Sequence, residues 1–200
     1  MAQAACVDIM LARRTGGPGG TVRLVVHDTI MLIWTMTGTT ADAIATTTGS
    51  IFMFAEPLSG FRQATARPRR TKVDWAREVA ALLETRYAHA SQITLVCDNL
   101  NTHTKGAFYE AFPPDQARQY VRRIHFVYTP KHGSWLNVAE CELSCLTSQC
   151  LSDRRIGDLA TLQSEIDAWA TRTNAKQRGV DWQFTIEKAR RKLRRLYPKV

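Results

Sequence analysis

The sequence predicts an α/β fold, a mixed sheet with helices on both faces and a helical C-terminal tail. Two observations predict it. Short apolar runs at residues 93–97 and 124–128 are separated by a stretch of helical composition, and strands separated by helices pair in parallel. Two further strand-like runs flank Ser59-Gly60, which adds an antiparallel hairpin to the same sheet.

The elements follow in order. Residues 1–48 form an atypical segment expected to be poorly structured, and residues 49–200 the folded unit. Within 1–48, "ARRTGGPGG" is basic and linker-like, and "TMTGTTADAIATTTG" has no clear period. Between them "TVRLVVHDTIMLIW" reads as one strand or two. "IFMFAEP" reads as a strand ended by Pro57, and "GFRQATARP" as its hairpin partner. Thr71 offers an N-cap, and an apolar stripe at helical spacing runs from Val73 to Tyr87. Ile93 to Cys97 reads as a buried strand. Lys105 to Val121 is mostly helical and broken at Pro113-Pro114. Ile124 to Tyr128 is the next buried strand, expected to lie beside Ile93–Cys97 near the middle of the sheet. Residues 136, 139, 143, 146 and 150 share one face of a helix that reaches Leu151. A further helix spans about Asp158 to Thr173. The tail, from a Thr185 cap, carries seven Lys or Arg between Lys188 and Lys199.

The 200 residues carry 27 Lys and Arg against 18 Asp and Glu, a formal charge of +9. That excess favours an anionic partner, nucleic acid before a membrane surface. The longest apolar run, Leu24 to Trp34, is interrupted by His27 and Asp28, so no membrane span is expected. The N-terminus does not read as a signal peptide, and a cytoplasmic location is expected. Cys6, Cys97, Cys141, Cys145 and Cys150 make an odd count with no CxxC pair. That points to a reducing compartment and to cysteines acting as small buried hydrophobes rather than as a zinc site.

Two carboxylates stand at element ends. Asp98 closes "LVCDNLNTH", where a parallel strand delivers its last residue to the edge at which ligands collect in open α/β sheets. Asn99 and His103 follow closely enough to orient it. Asp-Asn is also good turn chemistry, and that reading stays open. Glu140 lies near a helix start in "TPKHGSWLNVAECELSCL". Asn137 and Glu140 also fit a loose capping box, and periodicity alone does not choose between Glu140 and Glu142. Lys131, His132 and Trp135 form a loop with positive charge and a flat aromatic, suited to a DNA backbone or an unstacked base. Trp135 could equally anchor the helix to the core.

Together these motifs resemble bacterial insertion-sequence transposases of the mariner-like superfamily. The resemblance rests on Asp-Asn-x-x-x-His at Asp98 and Ser-Trp-Leu-Asn-x-x-Glu ending at Glu140. It is supported by "FMFAEPLSGFR", "RRTKVDWA", "DWQFT" and "KLRRLYP", and covers about Gly49 to Pro198. It implies a ribonuclease H-like fold and a DDE endonuclease centre with two divalent ions, Mg²⁺ or Mn²⁺. Asp98 and Glu140 would be the second and third carboxylates, both catalytic and metal-binding, with Asn99, His103 and Asn137 supporting them. It implies cleavage and strand transfer at transposon ends, with double-stranded DNA of the ends and target as partner and a homodimer as the assembly. The sequence departs from the family in two places. No Asp-Glu pair occurs in residues 1–48, leaving Asp8 and Asp28 as the acids that could stand first, and no helix-turn-helix precedes the catalytic part. An N-terminally truncated copy with incomplete activity is therefore expected. The alternative is a DNA-binding remnant without chemistry.

Overall fold

The computed structural model describes residues 22–33, 48–98, 100–129, 138–152, 154, 156–179 and 191. Five strands are present: β1 (Val22–Ile33), β2 (Thr48–Glu56), β3 (Phe61–Arg67), β4 (Ile93–Cys97) and β5 (Ile124–Tyr128). They form one sheet in the order β3-β2-β1-β4-β5. β1 pairs antiparallel with β2 and parallel with β4, and β4 pairs parallel with β5.

The run that read as one strand or two is a single strand, β1, with a register shift between Asp28 and Met31. β1 comes from within residues 1–48 yet occupies the middle of the sheet. The expected parallel pair of β4 and β5 is present, but β5 is not near the middle. It is the last strand of the order: Ile124 is buried, His125 exposed and the remaining three half-buried. An apolar run reports that a strand is covered. It does not report how many strands flank it.

The hairpin turn explains its own sequence. Gly60 has φ +71, and a Cβ there would come 2.6 Å from the Arg178 backbone, so only glycine fits. The Gly60 N–H donates to the Glu56 carbonyl at 3.0 Å and closes the turn.

Helices cover both faces. On one lie α1 (Lys72–Glu84), α2 (Lys105–Ala111) and α3 (Pro114–Arg123). Thr71 and Asp74 form a reciprocal capping box at the start of α1, the Asp74 N–H donating to Thr71 and the Thr71 N–H to Asp74. Pro114 takes the first turn of α3, where its missing N–H costs nothing. Trp75, Val79, Leu82 and Leu83 of α1 pack with Phe108 and Tyr120 on Phe52, Phe54, Ile93, Leu95 and Cys97.

On the other face lie α4 (Val138–Leu146), a π-helical turn (Thr147–Leu151) and α5 (Leu159–Ala175). Ala139, Leu143, Leu146 and Cys150, the face read from periodicity, pack with Ile166 and Trp169 on Ile51, Met53, Ala64 and Val96. Cys141 and Cys145 fall off that face and are exposed, so only Cys97 and Cys150 of the described cysteines act as buried hydrophobes. α5 starts at Asp158, whose carboxylate accepts the Thr161 N–H at 2.8 Å. The basic tail after residue 184 lies outside the described residues, apart from Arg191.

α5 also covers the outer edge of β3. The Gln163 side chain accepts from the Ala66 N–H at 2.7 Å and donates to the Ala64 carbonyl. Asn174 does the same for Arg62, with both contacts at 2.8 Å. These amides continue the ladder that an edge strand would leave open.

Candidate active site

β4 delivers Asp98 to the carboxyl end of the parallel strands. The Thr129 N–H donates to the Cys97 carbonyl at 2.9 Å, so the β4–β5 pairing runs on to the base of Asp98. Along β4 the side chains alternate. Leu95 and Cys97 belong to the cluster under α1, and Val96 to the cluster under α4. Asp98 follows directly, at the carboxyl end of the strand.

Asp98 is held from below. Its Oδ1 lies 2.5 Å from His103 Nδ1. His103 is fully buried. Its ring sits 5.1 Å from that of Trp75, and its carbonyl accepts the Tyr128 hydroxyl at 2.9 Å. A packed imidazole this close limits the orientations open to the carboxylate.

The structure separates the two glutamates of α4. Glu142 is buried and bound by Arg62 of β3, whose Nε and Nη2 reach both carboxylate oxygens. The same guanidinium donates to the Gly60 and Arg178 carbonyls. Glu142 is thus consumed by a structural pair. Glu140 is half-buried in the first turn of α4. α4 packs against β1 and β2. The Arg62–Glu142 pair is not visible in sequence, because its members are 80 residues apart.

A third acidic residue of the quoted motifs lies elsewhere. Glu56, in "FMFAEPLSGFR", ends β2, two places from β4 in the sheet. It pairs with Arg86 at 3.1 Å, and Arg86 lies over the Phe61 ring. Glu56 therefore builds the hairpin. Asp8, Asn99, Lys131, His132, Trp135 and Asn137 lie outside the described residues.

The residues present suit a divalent ion in donor type. Asp98 and Glu140 offer hard carboxylate oxygens, the kind that Mg²⁺ and Mn²⁺ take. Among the described residues no group of three His, Cys, Asp or Glu is placed to hold an ion.

The sequence model of the DDE superfamily endonuclease family matches residues 31–163. The chain belongs to that family. The match includes Asp98, His103 and Glu140 and ends inside α5. No curated protein matches this DDE endonuclease chain. Among solved structures it is similar to the Mos1 strand transfer complex, with a TM-score of 0.54 and 10% identity over 88% of this chain and 57% of that one. It is also similar to a simian T-cell lymphotropic virus intasome bound to the PP2A regulatory subunit B56 gamma. There the TM-score is 0.49 and the identity 11%, over 77% of this chain and 49% of that one. A third is the catalytic core domain of BIV integrase, with a TM-score of 0.49 and 14% identity over 86% of this chain and 99% of that one. The chain thus spans about half the length of the first two. The fold of this DDE endonuclease domain is ribonuclease H-like, as its strand order and two helical layers already indicate. Among the described residues, no helix is long and apolar enough to cross a membrane.

Proposed function

We propose that this chain is the catalytic domain of a bacterial insertion-sequence transposase, which cleaves phosphodiester bonds at transposon ends and joins them to target DNA. The observation that carries this reading is the carboxylate Asp98 at the carboxyl end of the parallel strands, 2.5 Å from the buried His103. Asp98 and Glu140 would hold divalent ions, Mg²⁺ or Mn²⁺. When bound, such ions activate the attacking oxygen and stabilise the leaving one.

The chain's own residues contribute position and charge. His103, packed against Asp98, would hold that carboxylate in one orientation. Arg62 ties Glu142 to β3. The net charge of +9, with Lys131, His132 and Trp135 before α4, suits the backbone of double-stranded DNA in the cell's cytoplasm. Residues 49–200, together with β1, would form the catalytic unit, working as a homodimer.

A second reading is a DNA-binding remnant without chemistry, for which the net charge of +9 would suffice. A supercoiled-plasmid nicking assay with Mg²⁺ and with Mn²⁺ separates the two. Metal-dependent nicking that disappears in both Asp98→Asn and Glu140→Gln supports the transposase. Binding to DNA without nicking in either metal supports the remnant. Nicking that survives both substitutions removes the proposed site.

A further inference from the structure

The stretch that joins β3 to α1 is densely basic. Five of the eleven residues from Arg67 to Arg77 are Arg or Lys, against one acid, Asp74. Arg67 ends β3, and Arg77 lies in the second turn of α1. Two of the five cations are taken by the fold. Arg67 pairs with the buried Glu78 at 2.6 Å, and Lys72 with Glu110 at 3.1 Å. Arg69, Arg70 and Arg77 are exposed. Arg69 and Arg77 both lie within electrostatic reach of Asp74. The Asp74 carboxylate accepts instead from the Thr71 N–H at 3.0 Å and the Thr71 hydroxyl at 2.7 Å. The one local acid is thus committed to the helix cap.

The loop is pinned at both ends. Before it, the Ala66 N–H is bound by Gln163 and Arg67 by Glu78. After it, the capping box fixes Thr71. Pro68 restricts the backbone between them. A loop held in this way loses little freedom when a partner binds.

The topology sets where this loop stands. β3 is antiparallel to β2, β2 is antiparallel to β1, and β1 is parallel to β4. β3 and β4 therefore run the same way, and the end of β3 at Arg67 shares a sheet edge with Asp98. The two strands are three places apart, which is about 14 Å at ordinary strand spacing. Duplex DNA carries about one charge per 1.7 Å of its axis, so a duplex engaged at Asp98 extends phosphates well across that distance.

We infer that Arg69, Arg70 and Arg77 contact the phosphate backbone of double-stranded DNA whose scissile bond lies at Asp98. The inference rests on the reading of Asp98 as acting on DNA. Guanidinium forks match phosphate oxygens and read no bases, so this contact sets the position of the duplex and not its sequence.

The test is filter binding of a duplex by the full chain across a salt series, in EDTA so that no metal site contributes. Arg69→Gln with Arg77→Gln is compared with Arg122→Gln with Lys176→Gln. The second pair removes the same charge at the opposite edge, since Arg122 lies just before β5 and Lys176 just after α5, beside the start of β3. The first pair is expected to reduce the slope of log affinity against log salt by about two, at about 0.9 per lost phosphate contact. The second pair is expected to leave it close to the parent slope. An unchanged slope in the first pair, or equal flattening in both, overturns the inference. Flattening seen with single-stranded DNA alone overturns the choice of a duplex. If the first pair does not fold, Arg69→Gln alone decides, with a slope reduced by about one. Asp98→Asn is assayed for nicking in parallel. Nicking that persists there removes the reading of Asp98, while the slopes still decide whether this surface holds DNA.

Discussion

Arg62 of β3 grips both carboxylate oxygens of Glu142 of α4, inside the fold and from a strand three places away from β4. Both side chains are almost fully enclosed. The pair locks the helix that carries Glu140 to the sheet.

Breaking one half of that pair strands a buried charge. Arg62→Met is expected to destabilise the chain by about 3–5 kcal/mol, and Arg62→Met with Glu142→Met to recover most of the loss. Urea denaturation of the two variants measures it. A single variant as stable as the parent would show that the pair contributes nothing.

His103 acts on Asp98 without needing to touch an ion. His103→Phe keeps a ring against Trp75 and removes the nitrogen that lies 2.5 Å from Asp98. Metal affinity should fall about 10–100-fold, the range for partners that orient a ligand. Thermal stability should change far less than in a variant that empties the same space, such as His103→Ala. Equal metal affinity in parent and His103→Phe would leave His103 a packing residue only.

Tyr87 gives the fold an alkaline limit. Burial, and then the negative charge of Glu56, push its hydroxyl well above the ordinary value of 10.0. The unfolded chain releases this proton near pH 10, and the folded chain keeps it. The contribution is therefore fully present below pH 10 and is lost as pH rises above it. Urea midpoints taken at pH 9 and pH 11 should drop less for Tyr87→Phe than for the parent. Tyr120 and Tyr128 are also shifted upward, so some drop will remain.

The positive charge predicts how DNA is held. Seven Lys or Arg fall between Lys188 and Lys199. If they contact phosphates, affinity for double-stranded DNA should fall about a thousandfold between roughly 50 and 200 mM salt. Deleting residues 188–200 should flatten that slope. Filter binding across the salt series reads both, and a slope unchanged by the deletion would assign the contacts elsewhere.

Much of this was legible in the sequence, and the exceptions share a physical cause. β4, the hairpin and the helices announced themselves through local signals: apolar runs, a Ser-Gly turn and a capped stripe. β1 did not, because His27, Asp28 and Thr29 interrupt its apolar run, and only pairing with two neighbours makes it a central strand. β5 looked as buried as β4, because hydrophobicity cannot count flanking strands. Glu140 and Glu142 were indistinguishable until Arg62, 80 residues away, claimed one of them. Asp98 was legible as a strand-end acid.

The edge contacts of Asn174 have a kinetic meaning. This amide meets Arg62 across 112 residues, and it does so at the rim of a sheet whose central strand is the first one made. The β2–β3 hairpin can close early, but β1 must wait for β4, and the outer rim of β3 must wait for the last described helix. Contacts of such long sequence separation slow folding, because the chain loses freedom before they form. During that interval the rim of β3 is open to other chains. Synthesis that stalls before α5 would leave this protein with an uncovered strand and a strong tendency to aggregate.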